Sequence, residues 1–562
     1  MSGARTIRCA AWLWGIAVMA ALYASTLAFS ESLDLYGGSR PAVRFLKILA
    51  DVALLMSPYW FLPVRRRCLA LVPLWCMGLL YFADAVYYRF AGDCMPLSSL
   101  WQVSNVDAPL AGSVLSLLRG ADVLFFVPAA AASALWCVRP LRRAVASAPA
   151  FRWTVRLAVA GATLVIIVCA QVAHSRSYER MFLFSDNRVM TLFESTRERL
   201  VWRQSEFRCR HDASLRQSGV AVYMLTEVYD TVTRASSIKL SNKERGIIDA
   251  YVDRDAYAVG SAGKNLLMIV VESLNASAVD SIRTPVLDSL IHAPGSLSCL
   301  NVRPQVRQGI SSDGQLLYNT GLMPLRGEVA VQRAVPFGDM PTLARQLSAT
   351  HRPVALFADN GRTWRKKEVY RLYGFDMVLT SVDADRHFSV DSLGADDAAM
   401  RFAAAVCDTL QEPFFMQLLT ISMHYPFGEA AAGVEGVDDA EERYGMCVEY
   451  FDRSLGRLMD SLREKGLLER TMVVVVSDHH INAGSGLNPE HPIVFVAANC
   501  GVSRRIDRDM RQADVFPTLL DLMGVRGKWR GVGHSVFGPS YGETERQWTV
   551  SDTILRSDYF RP

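Results

Sequence analysis

The sequence predicts a chain of two unlike parts: an N-terminal domain of five transmembrane helices, then an extracytoplasmic α/β domain with a mostly parallel sheet. Three observations predict it. Hydrophobic residues make up 51% of the chain, and the excess lies in the first third. From Asn265 onward, short and nearly continuous apolar runs alternate with amphipathic helical patterns, the texture of strands buried on both faces between covering helices. Several of those runs end in acids and histidines, at the sheet edge where open α/β folds bind ligands.

The five apolar segments are roughly Ala10–Phe29, Val43–Val64, Cys68–Tyr88, Val123–Val138 and Val155–Ala173, each near the ~20 residues that cross a bilayer core. Lys47 and Asp51 interrupt the second, which also fits a buried amphipathic helix. The first begins with Arg5 and Arg8 as a signal peptide does. Its apolar run is long and further segments follow, so it reads as an uncleaved anchor. Arg65-Arg66-Arg67 lies between segments two and three, and Arg139, Arg142, Arg143 and Arg152 between four and five, while the other loops are poor in Lys and Arg. Basic loops stay in the cytoplasm, so the N-terminus is expected inside and everything after about residue 175 outside.

Residues 175–262 are charged with helical spacing ("RVMTLFESTRERLVWRQ") and open on Met181-Phe182-Leu183-Phe184. They are expected to form amphipathic helices on the membrane surface. The runs "NLLMIVV", "PVALF", "FFMQLLTI", "MVVVVS" and "PIVFVAA" then mark strands, with helical patterns around Met340–Ser348 and Glu441–Lys465 between them. The expected boundaries are a transmembrane domain at 1–174, a linker at 175–262, a catalytic domain at 263–540 and a tail at 541–562.

A net charge of +4 and the absence of basic runs interleaved with aromatics exclude a nucleic-acid binder. Eleven cysteines without a CxxC spacing exclude a redox motif and a zinc knuckle. Cys209, Cys299, Cys407, Cys447 and Cys500 follow the apolar region and are open to disulfide pairing outside the cytoplasm, with no pairing assignable. A transporter would need paired repeats or broken helices, and neither is visible.

The stretch "VVVVSDHHINAG" runs from an apolar strand straight into Asp478 and His479, and "NLLMIVVESLNAS" ends likewise in Glu272. Between them "RQGISSDGQLLYNTGL" places Ser311 and Ser312 after Gly309, at the start of a helical run. A hydroxyl there sits among free N–H groups that suit a phosphate. Two carboxylates, an imidazole and a hydroxyl from three loops make a mixed oxygen and nitrogen site for a divalent ion. Strand-end capping for Asp478 and His479, and a helix N-cap for Ser311, are the plain alternatives. Asp84, an acid in the third segment, is functional or snorkels to water; His480 and His491 read as residues that support the site from behind or as structural ones.

The ordered set "VVESLNAS", "GISSDGQLLYNTGL", "MHYPFG" and "VSDHHINAG" resembles the lipoteichoic acid synthase and phosphoglycerol transferase branch of the alkaline phosphatase/sulfatase superfamily. So do "PTLARQLSATHRPVALFADNGRTWRKKEVYRLYGFD", "DVFPTLLDLMGV" and the expected five-span architecture. The resemblance implies that Glu272, Ser311, Asp478 and His479 hold one divalent metal, manganese by preference and magnesium or zinc otherwise, with Ser311 also the nucleophile. It implies that His424 lies near the phosphate, and that Trp364 with Arg365 or Lys366 holds the donor's head group. Ser311 departs from the family's usual threonine, with Ser312 as a second candidate, and Asn360 stands where a family acid is expected. The Cys/Ser-x-Pro-x-Arg pattern of formylglycine sulfatases is absent, and Glu272 is followed by Ser273 rather than a second acid, which favours one metal.

The activity so implied is transfer of a phosphoglycerol head group from phosphatidylglycerol, through a covalent seryl intermediate, to a glycan or glycolipid acceptor, by a multi-pass protein of a bacterial cell membrane. Phosphoethanolamine transfer, phosphodiester hydrolysis and a catalytically inactive membrane-anchored binding module are the rival expectations.

Overall fold

The computed structural model describes residues 2–36, 41–91, 115–182, 239–260, 263–325, 328–332, 337–434, 436–481, 485–488, 491–539 and 545–560, together with 94–95, 215, 219–221, 223–225 and 228; the side chains of 2–8, 90–91 and 171–182 are outside this description. Most of the expected linker, including Arg188 to Gln204, therefore lies outside the described residues. The chain divides into two compact units, Met1–Leu100 with Leu117–Ala235, and one built on Ser236–Pro562.

In the first unit, four helical stretches among the described residues are long and apolar enough to cross a membrane: Cys9–Ser32, Val64–Arg89, Gly120–Cys137 and Trp153–Ala170. The second expected segment forms the helix Pro41–Met56 and then a 3-10 turn, Ser57–Phe61. Sixteen helical residues span about 24 Å against a hydrocarbon core of about 30 Å, and Pro58 and Pro63 follow. Its polar residues are buried: the Asp51 carboxylate accepts the N–H groups of Val220 and Ala221, each at 2.9 Å. Asp84 is buried as well, and accepts the N–H of Met95 at 2.6 Å. Arg67, from the basic loop, donates to the carbonyls of Val145, Ala148 and Pro149.

The second unit is built on a nine-stranded sheet. Its strands are β1 (Asn265–Val271), β2 (Leu297–Arg303), β3 (Arg352–Phe357), β4 (Met377–Leu379), β5 (Phe414–Leu419), β6 (Thr471–Ser477), β7 (Ile493–Ala498), β8 (Arg504–Arg505) and β9 (Met510–Arg511). The order is β4-β3-β5-β1-β6-β7-β2-β8, with β9 also on β2. All neighbours are parallel except β7, which runs against both β6 and β2. Alternate residues of a strand face opposite sides of the sheet. Leu266, Met268 and Val270 accordingly enter one core and Leu267, Ile269 and Val271 the other, which is why the run is apolar without a break. Helices Ser311–Thr320, Lys366–Tyr373 and Val515–Leu522 cover the first face; Ala395–Cys407 and Ala440–Glu464 cover the second. Cys299, Cys407, Cys447 and Cys500 are buried and free; Cys209 lies outside the described residues.

Candidate metal centre

Strand register places the two carboxylates. β1 and β6 are parallel neighbours, and Val271 is paired with Ser477. The residues that follow, Glu272 and Asp478, therefore leave the sheet side by side. Ser273 takes a left-handed backbone (φ 54°) and turns the chain: its N–H donates to Asp478 Oδ1 at 3.0 Å and its hydroxyl to Glu272 Oε1 at 2.9 Å. On the other flank of β1, β5 ends at Leu419, and the Thr420 hydroxyl accepts the Glu272 N–H at 3.0 Å.

His479 closes the group. Its Nε2 lies 3.1 Å from Glu272 Oε1 and 3.5 Å from Asp478 Oδ2. Its Nδ1 lies 2.6 Å from the carbonyl of His480; a carbonyl only accepts, so Nδ1 carries a proton and Nε2 is the nitrogen that faces the two carboxylates. One ligand atom from each of Glu272, Asp478 and His479 falls within 4.8 Å of the others.

Ser311 is brought to this group by a strained turn. Ile310 stands at φ 41°, ψ −105° immediately before the helix, a conformation that costs a branched residue about 1–3 kcal/mol. The bonds around it hold the turn: Asp313 accepts the N–H groups of Arg307 and Gly309 at 2.9 and 3.0 Å, and the Ser312 hydroxyl donates to the Gly309 carbonyl at 2.9 Å. A Cβ at 309 would lie 2.2 Å from Asp313 Oδ1, so any residue but glycine would have to displace the carboxylate that holds the turn. The result sets Ser311 Oγ 3.1 Å from His479 Nε2 and 3.4 Å from Glu272 Oε2. Ser312 is turned inward and buried.

The charges interlock. Burial pushes Glu272 up, but His479 and then His424 and Ser273 pull it well below the usual carboxylate range. Burial and the neighbouring Glu272 charge push Asp478 up to about 7. Burial pulls His479 down, yet Asp478 and Glu272 outweigh it and hold the imidazolium up to about 9. A doubly charged cation fits this donor set: two buried carboxylates, an imidazole and a hydroxyl suit a hard-to-borderline divalent ion, whose positive charge would offset the two acids.

The other expected residues follow strands that end at the same edge of the sheet. His424 follows β5, is half-buried, and is held through Nδ1 by the Tyr425 carbonyl at 2.8 Å. Its loop hangs on Asp396, a fully buried acid that accepts the N–H groups of Ile421 and Ser422 at 2.8 and 3.3 Å. Trp364 and Arg365 sit in the 3-10 turn Thr363–Arg365 after β3, both at positive φ (58° and 52°), and Lys366 opens the helix Lys366–Tyr373. Lys366 is buried, paired with Asp359 and 5.6 Å from the Phe357 ring centre. Arg365 is exposed, 3.7 Å from Glu368. None of the three bonds to Glu272, Ser311, Asp478 or His479. Sequence reading missed Asp313, Asp359 and Asp396. Asp313 was readable in "SSDG" as an acid in a first helical turn; Asp359 and Asp396 owe their roles to chain folding that no local pattern shows.

Comparison with known proteins matches residues 264–525 to the sulfatase family model and residues 5–191 to that of the lipoteichoic acid synthase N-terminal domain. Lipoteichoic acid synthase 2 of Bacillus subtilis (strain 168) is 24% identical over 468 residues, covering 80% of this chain and 67% of the relative. The lipoteichoic acid synthase of Staphylococcus aureus (strain USA300) is 22% identical over 545 residues, covering 89% and 80%. Among solved structures, the integral membrane lipooligosaccharide phosphoethanolamine transferase A of Neisseria meningitidis superposes with a TM-score of 0.53 at 14% identity, over 92% of this chain and 95% of that one. At that identity the likeness speaks for the fold.

Proposed function

The chain carries a sulfatase domain at 264–525 and a lipoteichoic acid synthase N-terminal domain at 5–191, and from that premise we propose that it works as a member of the lipoteichoic acid synthase and phosphoglycerol transferase branch of the alkaline phosphatase/sulfatase superfamily and moves a phosphoglycerol head group from phosphatidylglycerol to a hydroxyl of a glycan or glycolipid. The observation that carries the reading is the position of Ser311 Oγ, at the N-terminus of a helix and 3.1 Å from His479 Nε2 beside Glu272.

Glu272, Ser311, Asp478 and His479 would hold one divalent ion, manganese by preference. When bound, that ion lowers the hydroxyl's pKa and offsets charge on the phosphoryl oxygens. Ser311 Oγ gives up its proton and attacks the donor phosphorus, the bond to the diacylglycerol oxygen breaks, and that oxygen takes up a proton. A phosphoglycerol ester of Ser311 remains. The acceptor hydroxyl then attacks the same phosphorus and gives up its proton, the bond to Ser311 Oγ breaks, and Ser311 Oγ takes a proton back. Because Nδ1 of His424 is engaged by the Tyr425 carbonyl, its Nε2 is left to carry one of these protons. Trp364, Arg365 and Lys366 recognise the head group, with Asp359 holding Lys366 in place.

The N-terminal unit would serve as an anchor of five spans, counting the four long apolar helical stretches and the shorter Pro41–Met56 with its 3-10 turn, with the N-terminus in the cytoplasm and the domain 263–540 outside, the linker 175–262 between them and 541–562 as a tail. Confinement to the membrane plane raises the effective concentration of a lipid donor.

Intact-protein mass spectrometry tests the reading. Purified chain is incubated with manganese and phosphatidylglycerol or phosphatidylethanolamine, with Ser311→Ala in parallel. A phosphoglycerol-sized adduct that needs Ser311 is expected. A phosphoethanolamine-sized adduct reassigns the donor, diacylglycerol release with no adduct points to hydrolysis, and a protein that binds no metal rejects the reading.

A further inference from the structure

Asp478 and Ser311 reach the metal centre from different elements, and behind them their backbones are tied together by one buried amide. Gln512 opens the turn Gln512–Asp514 that precedes the helix Val515–Leu522, and it is fully buried. Its Nε2 donates to the Asp478 carbonyl at 2.6 Å and to the Tyr318 hydroxyl at 3.2 Å. Its Oε1 accepts the N–H of Gln305 at 2.9 Å.

Each partner belongs to an element that carries a site residue. Tyr318 lies on the Ser311 helix, and its hydroxyl donates in turn to the carbonyl of Ser477. Gln305 opens the loop that runs into Ser311, and its Oε1 accepts the Ala513 N–H at 2.9 Å, so each glutamine accepts a backbone N–H from the other's segment. The elements meet at contact distance here, because a Cβ on Gly314 would lie 2.2 Å from the Asp478 carbonyl oxygen. That carbonyl is pressed against the helix and takes its hydrogen bond from Gln512. A buried carbonyl left without a donor costs about 1–3 kcal/mol and relieves the cost by moving.

We propose that Gln512 is a positioning residue of the metal centre: it fixes the strand end that carries Asp478 and His479 against the helix that carries Ser311, and so sets the affinity for a divalent ion. The proposal rests on the metal-centre reading above. It involves neither lipid nor acceptor, so it is tested by metal binding alone.

Manganese binding to the purified full chain is measured by calorimetry for wild type, Gln512→Leu, Gln512→Glu and Tyr318→Phe. Leucine removes both polar atoms. Glutamate keeps an oxygen for Gln305 and turns its second oxygen against the Asp478 carbonyl. Asn265→Leu is the control: it removes another buried amide, bonded to Glu412 and the Phe414 N–H, at the opposite end of β1. Partners that orient metal ligands are typically worth about 10- to 100-fold in metal affinity. We expect Gln512→Leu and Gln512→Glu to weaken manganese by at least that lower figure, Tyr318→Phe by a smaller factor, and Asn265→Leu to lower the melting temperature with manganese affinity intact. Folded Gln512 variants that bind manganese as wild type does overturn the proposal. If neither Gln512 variant folds, Tyr318→Phe decides, and wild-type affinity in it overturns the proposal equally. Wild-type chain that binds no manganese removes the metal-centre reading and this inference with it, a result distinct from loss in the variants alone.

Discussion

The hydroxyl of Ser311 lies 3.1 Å from Nε2 of His479, whereas that of Ser312, the next residue, is bonded inward to the Gly309 carbonyl at 2.9 Å. One helix start thus presents one hydroxyl to the site and spends the other on its own turn. Ser311→Ala should abolish the covalent adduct and slow diacylglycerol release by at least about 10³-fold, as loss of a nucleophile does. Ser312→Ala should keep the adduct and lower stability by about 1 kcal/mol, the net worth of one buried hydrogen bond. Adduct formation in Ser311→Ala would move the nucleophile to Ser312.

Gly314 has no room for a side chain, since its Cβ would lie 2.2 Å from the Asp478 carbonyl oxygen, a backbone atom that cannot swing aside. Gly314→Ala must therefore push the Ser311 helix away from the strand end. The expected result is loss of manganese binding with a folded protein, followed by calorimetry beside circular dichroism. An alanine variant that binds manganese normally would show that the helix can shift without opening the centre.

Much of the fold and of the clustered residues was legible because the strands and the acids, histidine and serine at their ends are written in contiguous residues. The unbroken run Val473–Val476 announces a strand buried on two faces, and Asp478-His479 directly after it announces the sheet edge. The sheet is mixed because β7 runs antiparallel between β6 and β2. Direction leaves no trace in composition once both faces are covered. Pro41–Met56 is shorter than the expected second span, since apolar content alone does not reveal that Asp51 meets Val220 and Ala221 from far along the chain. Gln512 was invisible for the same reason: its partners at Gln305, Tyr318 and Asp478 are distant in sequence.

Asp396 holds the His424 loop from beneath, through the N–H groups of Ile421 and Ser422. Asp396→Ala leaves both donors buried without an acceptor, at a cost of about 1–3 kcal/mol each. Since this loop carries His424 and not the candidate metal ligands Asp478 and His479, turnover should fall about 10-fold or more while manganese affinity holds, a misplaced proton carrier being worth about 10²–10⁴ at most. Asp396→Glu should recover part of the rate. Equal losses of turnover and manganese affinity would assign Asp396 a role in general stability instead.

Metal binding should depend steeply on pH, and the direction follows from the metal-free charges. Burial lowers the His479 pKa, but Asp478 and Glu272 raise it further, to about 9. The ion needs Nε2 bare, so at any pH below that value binding must first expel a proton. Manganese affinity should thus rise by about tenfold per pH unit up to about 9, where a free imidazole of ordinary pKa would level off near about 6.5. Asp478, held up to about 7 by burial and by Glu272, adds a second proton below that value, so the slope should steepen toward a hundredfold per unit. Calorimetry from about pH 6 to 8.5 in buffers of different ionisation enthalpy counts the protons directly. One proton released per manganese near pH 8, rising toward two near pH 6, is the expected result; a flat profile above about pH 6.5 would mean that the carboxylates do not hold His479 protonated.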